Sequence, residues 1–151
     1  MINRFETFSY AISEISRHWH KIASDEMAKY GLKGTHSVYL LAMRRHPQGL
    51  TAPKLCELCG RDKADVSRMM AIMEEKGLVI KESIHQNLYR GVFRLTEKGN
   101  MAADYVHRRA ALAVELAGKD LDEETRAAFY RALESISNNL RDLGTKGLPQ
   151  N

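Results

Sequence analysis

Asp62-Lys63-Ala64-Asp65-Val66-Ser67-Arg68-Met69-Met70-Ala71-Ile72-Met73-Glu74-Glu75-Lys76 reads as one helix with two unlike faces. Asp62 suits the N-cap, and Asp65, three positions on, reaches back toward it. Both acids also suit the positive end of the helix dipole. Val66, Met70 and Met73 recur at helical spacing and face a core. Lys63, Ala64, Ser67 and Arg68 fall on the other side, near the N-terminus. Gly77 ends the helix in the left-handed cap position. An apolar inner stripe with small and basic residues outside lets a helix pack on its own domain and still enter a DNA major groove by its first turns.

The preceding segment fits that reading. Thr51 is the N-cap of a short helix with Pro53 in its first turn, Leu55 and Leu58 inward and Gly60 at its end. One residue, Arg61, then separates Gly60 from Asp62. Two helices joined by so tight a turn form a helix-turn-helix. After Gly77 the apolar period falls from helical to about two. Residues 78–82 are a short strand, 89–95 a second, and 83–88 the loop between them. A hairpin at this place is a wing, which brings Arg90 or Arg94 near a phosphate or a minor groove.

Farther out the chain is helical. Phe5, Phe8, Ile12, Ile15, Trp19 and Ile22 step by three and four along one long amphipathic helix, closed at Tyr30-Gly31. Val38, Leu41 and Ala42 sit on a second helix that ends at His46-Pro47-Gln48-Gly49. Thr96 caps a helix from about Glu97 to Ala117 that carries Ala102, Tyr105, Val106, Leu112 and Leu116. Gly118 breaks it, and Asp122 caps a last helix. There Phe129, Leu133, Ile136, Leu140 and Leu143 form the seam of a helix that packs on other helices. The fold class is therefore mainly α. A winged helix-turn-helix module over 35–95 is flanked by N- and C-terminal helices, 1–34 and 96–151, that form a dimerisation region, all within one structural domain. The first and last helices must bury their stripes. Packing on each other and on a second copy does so, and a two-fold dimer presents two reading helices to half-sites about 34 Å apart.

Composition sets bounds without deciding function. The 151 residues fit one compact domain, and a 44% hydrophobic share supplies a core. The net charge of +4 is mild. Its distribution says more: residues 1–100 hold 16 basic and 11 acidic groups, residues 101–151 hold 7 and 8. No apolar run is long enough to span a membrane, no signal peptide is evident, and two cysteines make no disulfide framework, so a cytoplasmic protein is expected. No nucleophile–base pair, glycine-rich phosphate loop or metal-ligand cluster argues for an enzyme, and no cofactor or metal is expected.

This order of elements resembles the MarR family of bacterial transcriptional regulators along nearly the whole chain. The likeness lies in Gly31-Leu32 opening the second helix, in Leu55-Cys56-Glu57-Leu58-Cys59-Gly60, and in Asp62-Lys63-Ala64-Asp65-Val66-Ser67-Arg68. It continues in Glu74-Glu75-Lys76-Gly77-Leu78-Val79 and Leu95-Thr96-Glu97-Lys98-Gly99. The last two blocks, a wing-length hairpin apart, are the most specific. The resemblance implies a homodimer that binds a pseudo-palindromic double-stranded operator, usually as a repressor. It also implies release by a small phenolic or other aromatic effector, or by oxidation. The expected DNA contacts are Thr51, Lys54, Arg61, Lys63, Ala64, Asp65, Ser67, Arg68 and Arg90. The family's ligand crevice would involve Trp19, His36 and Tyr39, which otherwise read as core aromatics and a surface histidine.

The sequence departs from the family in two places. The wing reads Asn87-Leu88-Tyr89-Arg90, without the family's Asp and paired arginines. Asp65 stands where Ser or Thr is common, either as a cap turned back on its helix or as a reader of a cytosine amino group. An alternative function is therefore a winged adaptor that binds proteins rather than DNA. Another is a thiol-sensing regulator using Cys56 and Cys59. At helical i, i+3 spacing their Cβ atoms lie about 5–6 Å apart, whereas a disulfide wants about 3.8 Å.

Overall fold

A computed structural model of the chain describes residues 3–84 and 87–150, except the side chains of residues 84 and 87–90. Helix α1 spans Arg4–Ala28, with Asn3 as its N-cap. A 3-10 turn, Gly34–His36, leads into α2, Ser37–Arg44. Strand β1 is the pair Leu50–Thr51, followed by α3, Ala52–Cys59, and α4, Lys63–Glu75. Strands β2, Val79–Ile84, and β3, Asn87–Leu95, make the wing. Helices α5, Glu97–Ala117, and α6, Glu123–Lys146, complete the chain. Residues 1–111 and 112–151 form two compact units.

The first unit is built on one apolar core. Leu55 of α3 and Val66, Met69, Met70 and Met73 of α4 are buried together with Tyr39, Leu40 and Met43 of α2 and Ala102, Ala103 and Val106 of α5. Five methionines belong to it, Met27 and Met43 beside the three of α4. Unbranched thioethers fill irregular gaps between short helices. The three strands pair antiparallel in the order β1-β3-β2, with Leu50 opposite Phe93 and Val79 opposite Leu95.

Several local expectations need correction. Gly31-Leu32 closes α1 instead of opening the second helix: the Leu32 N–H donates to the Met27 carbonyl, Gly31 has φ +67°, and α2 begins only at Ser37. Leu58 is exposed rather than inward. The inner face of α3 runs through Ala52, Leu55, Cys56 and Cys59, so the two thiols take the places expected of aliphatic packing. β1 is an addition, too short to show an alternation. The wing loop is shorter than residues 83–88, since Ile84 and Asn87 already pair as strand.

The joint after α4 is closely determined. Gly77 adopts φ +71°, its N–H donates to the Glu74 carbonyl, and the Leu78 N–H donates to that of Met73. This double closure satisfies two of the last free carbonyls of α4, and only glycine takes such a φ without strain. Thr96 then ties the start of α5 to the same joint. Its hydroxyl donates to the Gly77 carbonyl at 2.6 Å and accepts from the Gly99 N–H at 3.0 Å.

In the second unit Asp122 caps α6, accepting from the Thr125 N–H at 2.7 Å. No residue of α6 is buried, and Phe129, Leu133, Ile136, Leu140 and Leu143 are each 38–49% exposed. On α1 the expected stripe is equally open, with Phe5, Phe8, Ile12, Ile15, Trp19 and Ile22 all exposed. No described helix is long and apolar enough to cross a membrane.

Candidate nucleic-acid interface

Helix α4 presents the two faces that its sequence requires. Val66, Met69, Met70 and Met73 point into the core, and Lys63, Ala64, Ser67 and Arg68 are exposed. Asp62 caps it: the Asp65 N–H donates to Asp62 Oδ1 at 2.7 Å. Three features therefore fix the first turn: the cap, the Val66 anchor and the tight link from Gly60 through Arg61. The exposed basic groups project from a backbone that cannot readily shift.

Asp65 does not turn its side chain back on its own helix as a cap but sends it across to α2. Its backbone N–H is held by the cap, but its carboxylate accepts a hydrogen bond from the Tyr39 hydroxyl through Oδ2. Tyr39 is fully buried in α2, and its phenol needs an acceptor inside the module. Burial, then the Asp65 carboxylate, pushes the Tyr39 hydroxyl well above its ordinary range. Asp65 Oδ1 faces the Arg68 guanidinium, with Nη2 at 3.7 Å. Spacing alone cannot reveal the link from Tyr39 to Asp65, because the partners are 26 residues apart on different helices.

The flanking candidates fall around this helix. Thr51 caps α3 through Lys54 N–H at 3.4 Å, and Lys54 Nζ pairs with Glu57 at 3.2 Å. Arg61 is exposed in the turn. The Arg90 side chain lies outside the described residues. Arg94, the other wing arginine, is turned onto its own module: Nη2 pairs with Glu82 at 3.1 Å and donates to the Gln48 carbonyl at 3.4 Å.

The expected ligand residues separate. Trp19 lines a small cleft, partly open to solvent, with Ile22, Ala23, Glu26, Ser37, Leu41, Val106 and Ala110. Tyr39 and His36 are not part of that lining: Tyr39 is a core residue bonded to Asp65, and His36 Nδ1 accepts from the Lys33 N–H at 3.1 Å. Burial, with Lys33 and Arg61 nearby, lowers the His36 pKa against the opposing pull of Asp65. Sequence reading missed Glu26, the one ionisable group on the wall. It is clasped by Lys29 at 2.9 Å and Arg109 at 3.0 Å. The Lys29 contact and then those of Arg109 and Tyr105 outweigh partial burial and hold its carboxyl down at about 2.

Cys56 and Cys59 are free thiols, and Cys59 Sγ approaches the Val38 carbonyl at 3.9 Å. Burial pushes the Cys59 thiol up, which leaves less thiolate at neutral pH. Among the described residues no three His, Cys, Asp or Glu side chains gather as a metal set.

Residues 30–86, from the end of α1 into the wing, match the family model of MarR. Over that stretch the chain is similar to MarR-family proteins. Solved MarR-family proteins share its architecture. A transcriptional regulator from Listeria monocytogenes, solved with a 26mer DNA, is 23% identical with a TM-score of 0.78, covering 100% of this chain and 99% of that one. A regulator from Methanosarcina mazei Go1 is 20% identical with a TM-score of 0.79, covering 91% and 99%. MepR of Staphylococcus aureus, in its DNA complex, is 20% identical with a TM-score of 0.77, covering 88% and 97%. At these identities the likeness establishes the winged MarR fold. No curated protein sequence matches the chain significantly.

Proposed function

We propose that the protein is a homodimeric, sequence-specific DNA-binding transcriptional regulator acting as a repressor in the cytoplasm. The observation that carries this reading is α4. Its inner face is locked by four buried side chains while Lys63, Ala64, Ser67 and Arg68 are exposed on its N-terminal half. Two copies of α4 enter successive major grooves of a pseudo-palindromic operator, the wings with Arg90 lie alongside, and Thr51, Lys54 and Arg61 approach the backbone. Residues 35–95 read DNA, and residues 1–34 and 96–151 supply the dimer contact. The open apolar seams of α1 and α6 support a second copy as their cover, since so much aligned apolar surface marks an interaction face. The DNA carried by the Listeria and Staphylococcus relatives supports the ligand class.

A small aromatic effector in the cleft beside Trp19 would regulate the dimer. It acts only by binding one spacing of the reading helices better than the other. The test is fluorescence anisotropy on a duplex selected by the protein from a random-sequence pool, beside unselected DNA, over a salt series. The expected result is preferential binding that weakens steeply with salt, with Lys63→Ala lowering the salt slope by about one per protomer. Equal, weak binding to both duplexes would refute the regulator reading. Sedimentation as a single protomer would refute the dimer.

A further inference from the structure

We propose that Asp65 is a specificity-determining positioning residue: anchored by the buried Tyr39 hydroxyl, it holds Arg68 so that the guanidinium reads a guanine edge rather than a phosphate. The inference rests on the reading of α4 as a DNA-reading helix and adds what that helix reads. A carboxylate in the first turn of such a helix is costly near phosphate, so its retention there asks for a physical return. The geometry supplies one. Oδ2 accepts from a phenol that is itself fully buried, so the carboxylate cannot swing away without leaving that hydroxyl unpaired. Oδ1 is then fixed facing Arg68 Nη2 at 3.7 Å, one helical turn along. The backbone N–H of the same residue is tied to Asp62 at 2.7 Å, which removes the remaining freedom of the turn.

Two consequences follow from charge and donor count. The carboxylate sets a negative charge beside Arg68, which weakens the attraction of the guanidinium for an anionic phosphate. It leaves the other guanidinium N–H groups free, since arginine carries five donors in a rigid fork. A neutral acceptor pair matches that arrangement, and guanine O6 and N7 present one in the major groove. Arg68 is 69% exposed at its side chain, so the fork is available to a base. Lys63, at the start of the helix, is the better phosphate contact: it is exposed, and a point charge needs no defined orientation.

The experiment uses the full-length protein and a duplex selected by the wild type from a random-sequence pool. Affinity is measured by anisotropy on that duplex, on versions with each G·C pair of one half-site changed to A·T, and on unselected DNA, over a salt series. The wild type should prefer one G·C pair in the half-site by about tenfold or more. Arg68→Ala should abolish that preference while lowering the salt slope by well under one. Asp65→Asn is isosteric and still able to accept from Tyr39. It should erode the preference severalfold, strengthen binding to unselected DNA and steepen the salt slope. Tyr39→Phe should erode the preference with the salt slope unchanged, and a thermal melt of each variant confirms folding. Survival of the G·C preference in Asp65→Asn would overturn the positioning role. Survival in Arg68→Ala would show that Asp65 itself reads the cytosine amino group. Loss of a full unit of salt slope in Arg68→Ala would make Arg68 a phosphate contact. A wild type that selects no sequence would instead refute the DNA reading itself, a result distinct from the other three.

Discussion

Gly99→Ala should destabilise the protein, although the same exchange in an open helix stabilises it. A Cβ at residue 99 would lie 1.9 Å from the Leu78 carbonyl oxygen and 3.1 Å from Leu95 Cδ2. The first obstacle is backbone, and it belongs to the joint that ends α4 and starts β2. The same Leu78 oxygen accepts from the Thr96 N–H at 3.0 Å, and Lys98 Nζ donates to the Lys76 carbonyl at 3.0 Å. An ordinary carbon–oxygen contact needs about 3.3 Å, so α5 must move off the joint by about 1 Å or more. Overpacking of this kind costs about 1–3 kcal/mol, and each weakened hydrogen bond about 1 kcal/mol more. The gain in helix propensity returns about 1 kcal/mol. The net loss is about 2–4 kcal/mol, a large part of the stability of a typical domain. Urea unfolding followed by circular dichroism, at one fixed protomer concentration, measures it as a lower midpoint at unchanged slope. Gly144→Ala is the matched control. It lies in α6 with nothing within 4 Å of its added Cβ and should gain up to about 1 kcal/mol. If Gly99→Ala is as stable as wild type, or gains as Gly144→Ala does, α5 does not pack on the α4–β2 joint as described.

Other substitutions probe the rest of the chain. Met73→Ala removes a fully buried side chain from the inner face of α4 and should cost about 2–5 kcal/mol in the same urea assay; unchanged stability would mean that α4 faces the other way. Asp122→Ala removes the α6 cap and should lower the urea midpoint, whereas Asp122→Asn, still able to accept from Thr125, should lower it less. Glu26 sits at about 2 in the folded chain against an ordinary 4.5, so its contribution is complete above about 4.5 and is lost as pH falls toward 2. Glu26→Gln should therefore melt lower than wild type at neutral pH, and the gap should close through that acid window. A gap that stays constant with pH would show that the Lys29 and Arg109 contacts do not depend on the carboxylate charge.

Much of this molecule is legible in its sequence because its signals are local. The caps at Thr51, Asp62, Thr96 and Asp122 each accept the N–H three residues on. The reading of α4 as an apolar stripe opposite a basic one agrees with its burial. What escaped was long-range or fell below the length at which period is informative. β1 is two residues long and exists only through its pairing with β3. Leu58 falls on the outer face of α3 because an eight-residue helix offers too few turns to separate neighbouring stripes. The acceptor role of Asp65 depends on a tyrosine from another helix, so its charge was visible and its partner was not.

The most direct test of two reading helices on one operator is a hydroxyl-radical footprint of the full-length protein on its selected duplex. The account predicts two protected tracts related by two-fold symmetry, their centres one helical turn, about 10 base pairs, apart or a multiple of it. A single tract without symmetry, or protection no different from that on unselected DNA, would contradict it.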